Sequence, residues 1–316
     1  MTDVTIVDSA PRDGLGTLCK VYNEISTSDK VTLINLLVQS GLKKINSVAF
    51  IHPRLRPEYS DAENVMKAVG KIPEVSCIGI APNEIACRRA LNTNISEIAV
   101  LIAATESLNR VVLGNSIKET LNKTFPSIFQ AGLERGKPMR VYVLSAFSCF
   151  YEGNVPLANI VDLTRKLAFM GAKEIVIVDT TGRANPKQVK KYFRALQALN
   201  LEVSLAAHFH NCRGLALVNC LAAYETGIRT FDTAIGGLSG TPFGAPQMEI
   251  GSWNVPTEDL ANLFEEMGIK TGIDLDALMA AVEFAEKLAR RKLPGHILSA
   301  KNAIRFENLP EPLKIE

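Results

Sequence analysis

Eight times in succession this chain sets a short Val/Ile-rich run ahead of a longer amphipathic stretch, and no other pattern in it narrows the architecture so far. The runs cover residues 4–8, 44–50, 75–81, 97–103, 139–147, 174–179, 202–208 and 230–235. Helical patterns fill intervals such as 27–40, 116–135, 157–170, 186–199 and 214–226. Ser26-Thr27-Ser28-Asp29 and Asn185-Pro186 are helix-start signals, and Gly41, Gly171 and Gly227 stop helices just ahead of the next run. Strands that are each followed by a helix predict a closed (β/α)8 TIM barrel, whose active face is built by the loops after the strands. An open doubly wound sheet is the structural alternative, but no G-x-G-x-x-G follows the first run.

At 316 residues the chain could hold two average domains, and a barrel of about 250 residues with additions fits equally well. No interdomain linker is visible. The expectation is one barrel domain over 1–293, carrying extra helices at 257–267 and 275–292, with a tail at 294–316 packed on it or partly mobile. A hydrophobic content of 47% with only 6% aromatics suits parallel strands covered by helices. The formal charge of +2 and the scattered basic residues give no reason to expect a nucleic-acid partner. No 18-residue apolar run is present, and the first strand starts too early to leave space for a signal peptide, so a cytoplasmic protein without a membrane partner is expected. The six cysteines form no C-x-x-C pair and read as thiols.

Chemistry concentrates at three strand ends. His208-Phe209-His210 closes the seventh run, and residues two apart in a strand point the same way. Two imidazoles so placed can share a divalent ion, or can be a hydrogen-bonded pair at a strand end. The first run leads into Pro11-Arg12-Asp13-Gly14. With Asp13, the two histidines make a nitrogen/oxygen set suited to Mg²⁺, Mn²⁺ or Zn²⁺, and Arg12 beside it can hold an enolate oxygen. A surface ion pair is the simpler reading of Arg12-Asp13. Four glycines within residues 236–244 make a loop after the eighth run that can close on a ligand, without the Lys-Ser/Thr ending of a phosphate loop.

Taken together, Pro11-Arg12-Asp13-Gly14-Leu15, Cys149-Phe150-Tyr151-Glu152-Gly153, Asp179-Thr180-Thr181-Gly182, His208-Phe209-His210, the glycine-rich loop and Asn254-Val255-Pro256-Thr257-Glu258-Asp259-Leu260 resemble the hydroxymethylglutaryl-CoA lyase family, over nearly the whole chain. The resemblance implies a divalent-metal-dependent carbon–carbon lyase in which Asp13, His208, His210 and Asn254 bind the metal and Arg12 stabilises the enolate. It further implies that Arg140, Tyr142, Asp179 and Thr180 lie near an acyl-CoA substrate, that Arg290 and Lys292 approach the CoA phosphates, and that the chain dimerises. A solvated helix end is the alternative for the basic run at Arg290.

Two departures from the family bear on the substrate. Thr241 stands where the lyases carry a loop cysteine, and Asn46 stands where they carry a glutamate, so two proton-transfer groups are replaced. His52, just after the second run, is a candidate replacement with Arg54 and Arg56 assisting, or else an exposed loop histidine; Tyr142 and Cys149 are further candidates. The expected reaction is retro-Claisen cleavage of a 3-hydroxyacyl-CoA related to hydroxymethylglutaryl-CoA, with hydroxymethylglutaryl-CoA itself not expected to be the best substrate. Claisen condensation of an acyl-CoA with a 2-oxo acid, a CoA-independent oxo-acid aldolase, and a metal- and acyl-CoA-binding protein without turnover are the alternatives.

Overall fold

The computed structural model describes residues 2–22, 25–239 and 254–300. Its eight parallel strands are β1 (Thr5–Asp8), β2 (Lys44–Ala49), β3 (Ser76–Ile80), β4 (Glu97–Ala103), β5 (Met139–Leu144), β6 (Glu174–Asp179), β7 (Ser204–Phe209) and β8 (Thr230–Thr233). Each pairs with the next, and β8 returns to β1 with Thr230 opposite Thr5, so the predicted barrel is closed. Helices form where the pattern places them. Ser26 and Asp29 make a reciprocal capping box, and the Asn185 side chain accepts the Gln188 N–H at 3.1 Å.

Strands β1, β2, β3 and β8 differ from the sequence expectation by one or two residues at an end, and the differences at β5 and β7 are larger or change the site end. Strand β5 ends at Leu144, three residues early, because Ser145 turns to φ 53° and gives its N–H to Thr180 Oγ1 at 2.7 Å. Strand β7 starts at Ser204 and runs one residue further, to Phe209. A bulge at Ser47 interrupts β2 immediately after Asn46.

The barrel interior is ionic rather than purely aliphatic. Val141, Val143, Ile175 and Ile177 are fully buried, and the residues between them point the other way, into the barrel. There, Lys44 Nζ lies 3.0 Å from both Glu97 Oε2 and Glu174 Oε2. Glu174 Oε2 lies 3.1 Å from Arg140 Nη1, and Arg140 Nη2 donates to Asp232 Oδ1 at 2.5 Å. Strands β5 and β8 are not neighbours, so this last pair spans the interior. The Arg140 guanidinium is turned inward, fully buried between two carboxylates.

After β8 the chain adds helices Thr257–Glu266 and Leu275–Ala289, then the short helix His296–Ala300. The helix Leu275–Ala289 begins beside the bottom of the barrel, where Asp274 N–H bonds Ser40 O at 2.8 Å. It ends at the mouth, where Leu293 packs on Gly236. Asp259 Oδ1 accepts the N–H groups of His296 and Ile297 at 2.8 and 3.1 Å, which fixes the start of the expected tail. Residues 301–316 of that tail lie outside the described residues. All six cysteines are unpaired, and among the described residues no helix is long and apolar enough to cross a membrane.

Two measurements probe this framework. Arg140→Met leaves the fully buried Asp232 without its cation and Glu174 with Lys44 alone, and unfolding free energy by chemical denaturation should fall by about 3–5 kcal/mol. The second concerns Glu258, which is fully buried; burial pushes its carboxyl up to about 8, although Gly236 N–H, 3.0 Å from both oxygens, opposes the rise. The folded chain thus holds a proton that a carboxyl at its ordinary 4.5 has released, so stability falls as pH rises from about 4.5 to about 8. Glu258→Gln removes that slope, and its melting temperature relative to wild type should be higher at about pH 8.5 than at about pH 5.

Candidate active site

Barrel closure brings the ends of β1, β7 and β8 to one mouth. A wide, π-type helical turn, Ala10–Gly14, follows β1 with Pro11 in its first turn, and a Cβ on Gly14 would fall 2.5 Å from Leu238 Cγ in the loop after β8. Only glycine lets these two loops approach so closely. That contact sets Asp13 against Ser239 and Asn254: Asp13 Oδ2 accepts from Ser239 Oγ and from Asn254 Nδ2, each at 3.2 Å. Asp13 Oδ1 accepts from Arg12 Nη1 at 3.1 Å, and Tyr59 OH donates to Arg12 O at 3.1 Å. Burial alone would raise the Asp13 carboxyl, but the Arg12 guanidinium, helped by the Asn254 hydrogen bond, outweighs it and holds the group below its usual range.

His208 lies on β7 and His210 just beyond it, with ring centroids 5.2 Å apart, so the two imidazoles share one side as their spacing requires. A backbone bridge from His210 to Asn254 adds the fourth residue of the set. His210 Nδ1 donates to Thr180 O at 3.0 Å, leaving Nε2 as the lone-pair nitrogen. Burial, and then its neighbour His208, push the His210 imidazole down to about 3, which keeps it neutral. His208 Nδ1 lies 3.5 Å from Asp232 Oδ2.

The buried polar atoms without a partner show what this mouth can accommodate. His208 Nε2 and Asn254 Oδ1 are both buried and unbonded, one an imidazole nitrogen and the other an amide oxygen. With Asp13 and His210 they form a mixed nitrogen/oxygen donor set whose outer partners, Thr180 O and Asp232, orient the imidazoles. Those residues fit a divalent cation. Among the described residues no three His, Cys, Asp or Glu groups already converge as a finished cage, since Asp13 is turned toward Arg12, Ser239 and Asn254.

The other residues singled out by sequence fall into distinct places. Asn46 reaches across the barrel and donates through Nδ2 to Tyr142 OH at 3.0 Å, and its Oδ1 is buried without a partner, as is Arg12 Nε. Burial lifts the Tyr142 phenol far above its usual range against the pull of Arg140, so it stays protonated. Asp179 is turned onto its own loop, where it accepts Arg183 N–H at 3.1 Å and Ala184 N–H at 3.0 Å, and Thr180 holds the β5 end and His210. Cys149 is buried and accepts from Thr105 Oγ1 at 3.1 Å. His52 is exposed in the loop after β2, with Nδ1 accepting the Arg54 N–H at 3.1 Å, while Arg56 pairs with Glu58 at 2.6 Å. Arg290 and Lys292 are exposed at the mouth end of the helix Leu275–Ala289, Lys292 within 2.6 Å of Glu286. Thr241 lies outside the described residues.

Sequence reading missed Asp232 and Ser239. Asp232 had a legible signal, since it is an acidic residue inside an apolar strand, but its partners sit on other strands.

The HMGL-like family model matches residues 3–285. The chain is 35% identical over 298 residues to a hydroxymethylglutaryl-CoA lyase of Bacillus subtilis (strain 168), covering 93% of this chain and 96% of that protein. It is 32% identical to the mitochondrial hydroxymethylglutaryl-CoA lyase of Homo sapiens, covering 94% and 89%. Among solved structures, the Bacillus subtilis HMG-CoA lyase superposes with a TM-score of 0.88 at 34% identity, covering 95% of this chain and 98% of that one. An HMG-CoA lyase from Acinetobacter baumannii in complex with coenzyme A and 3-methylmalate superposes with a TM-score of 0.87 at 33% identity, covering 98% of each chain. The chain therefore belongs to the HMGL-like family and is a hydroxymethylglutaryl-CoA lyase-like enzyme.

Proposed function

We propose that this enzyme is a divalent-metal-dependent lyase that cleaves a 3-hydroxyacyl-CoA carrying a second carboxylate, a substrate related to hydroxymethylglutaryl-CoA and distinct from it. The observation that carries the reading is the pair of buried, unbonded donors His208 Nε2 and Asn254 Oδ1 at the same mouth as Asp13 and Arg12. The neighbour complexed with coenzyme A and 3-methylmalate supports a CoA thioester with a hydroxylated, doubly carboxylated head.

In retro-Claisen cleavage the C2–C3 bond breaks and its electron pair moves onto the thioester as an enolate. The C3 hydroxyl loses its proton as a carbonyl forms, and a proton returns to C2. Asp13, His208, His210 and Asn254 would hold Mg²⁺ or Mn²⁺, with Zn²⁺ suited to the same donors, and such an ion supplies a Lewis acid for the hydroxyl and carbonyl oxygens. Arg12, nearly buried and with Nε unbonded, donates to the developing enolate oxygen in a site of low dielectric. Asn46 Oδ1 accepts the hydroxyl and orients it, but an amide cannot take up its proton; this is why the substrate is placed apart from that of glutamate-bearing lyases. Proton exchange is assigned to His52, whose loop leaves β2 at the active face, with Thr241 in the glycine-rich loop as the second group. Arg290 and Lys292, at the mouth end of their helix, are placed for the CoA phosphates, and the catalytic unit is taken as residues 1–293.

Mass spectrometry of the purified protein with Mg²⁺ or Mn²⁺ and a panel of 3-hydroxyacyl-CoAs should show release of a short acyl-CoA, abolished by Asp13→Ala and by His208→Ala. Turnover of hydroxymethylglutaryl-CoA should fall below that of the preferred substrate, and inertness across the panel would refute the reading. His52→Ala should lower kcat by about 10²-fold if the imidazole moves the proton, and an unchanged kcat would remove it from the mechanism.

A further inference from the structure

We propose that Asp232 is the positioning residue of His208: its carboxylate holds the imidazole with the proton on Nδ1, so that Nε2 presents its lone pair at the mouth. This rests on the reading of the mouth as a cation site, and it adds to that site a residue from deeper in the barrel.

Register makes the placement. Asp232 on β8 stands directly opposite His208 on β7, and parallel neighbours in register send their side chains to the same side. Asp232 Oδ2 lies 3.5 Å from His208 Nδ1, a long contact, while Oδ1 is drawn to Arg140 Nη2 at 2.5 Å. Arg140 is itself fixed from its other side by Glu174 Oε2 at 3.1 Å. The orientation of every group follows from donor chemistry. A guanidinium only donates, so the oxygen facing Arg140 must accept; the second carboxylate oxygen also only accepts, so His208 Nδ1 must carry hydrogen. The remaining nitrogen, Nε2, is the buried atom without a partner. His210 reaches the same state by a different route, through Thr180 O at 3.0 Å, because a carbonyl likewise accepts only.

An isosteric change separates this role from simple packing. In Asp232→Asn the amide oxygen must still face Arg140, which turns the NH₂ group toward His208 Nδ1. That nitrogen must then accept, the proton moves to Nε2, and a cation binds only at the cost of returning it. His210 does not depend on Asp232 and serves as the internal reference.

The test uses the full-length, metal-free protein with ¹⁵N-labelled histidine at about pH 8, where an ordinary imidazole is neutral. The chain has only four histidines, so their resonances are few enough to assign. In the wild type, His208 and His210 should both show the Nδ1–H tautomer. In Asp232→Asn, His208 should switch to Nε2–H while His210 stays unchanged, and Mn²⁺ affinity by calorimetry should fall by about 10- to 100-fold. A purely structural Asp232 would lower the melting temperature and leave both the tautomer and the Mn²⁺ affinity of the folded protein as they were, which would overturn the proposal. If Asp232→Asn does not fold, the wild-type spectrum decides alone: Nδ1–H on His208 supports the proposal and Nε2–H overturns it. Absence of Mn²⁺ binding by the wild type overturns it too. None of these readouts involves an acyl-CoA, so a chain that binds Mn²⁺ with the expected tautomers but cleaves no substrate would refute the lyase reading and leave this one standing.

Discussion

A single guanidinium in the middle of the barrel organises much of what surrounds it. Arg140 is fully buried, with Asp232 on one side and Glu174 on the other, and Glu174 is shared with Lys44. Charges taken out of water are tolerated only when paired, so the ladder permits few arrangements of β2, β5, β6 and β8. An aliphatic interior could slide or repack at modest cost. This one ties β2, β5, β6 and β8 together and delivers a carboxylate, Asp232, to the foot of His208.

Above the ladder, the mouth is assembled from parts that are remote in sequence and local in space. Asp13 from the start of the chain meets Asn254 from the far side of the glycine-rich loop, and His210 bridges to the same asparagine. His208 Nε2, Asn254 Oδ1 and Arg12 Nε, three buried atoms without a partner, meet here because the strands end here and direct their side chains at a common space. Polar groups elsewhere near the mouth are satisfied by their own loops, as Asp179 is by the N–H groups of Arg183 and Ala184. That difference separates residues available to a ligand from those that shape the rim.

Much of this was legible from the chain alone, for reasons that are local. Strand periodicity puts His208 and His210 on one side wherever the strand ends, and the capping residues at Ser26 and Asn185 act within a single helical turn. Arg140 and Thr180 were less transparent. Both were correctly placed on barrel strands or their ends, but which way each polar group turns depends on partners in other strands: Asp232 for Arg140, Ser145 and His210 for Thr180. Strand β5 stops early for the same reason, since the left-handed turn at Ser145 answers to the hydrogen bond its N–H donates to Thr180 in the loop after β6 and not to the residues beside it.

The sequence by itself determined the alternation of strands and helices, the closed barrel that follows from it, and the strand ends where Arg12, Asp13, His208 and His210 stand, because periodicity and chain direction are short-range properties. Only the tertiary structure decided that Arg140 faces inward, that Asp232 joins it to His208, and that Asn46 meets Tyr142 across the interior. Arg140 and Asp232 are 92 residues apart, and Asn46 and Tyr142 are 96 apart. Side chains at such separations acquire partners only when the barrel closes, and a buried polar group takes whichever partner closure brings within reach.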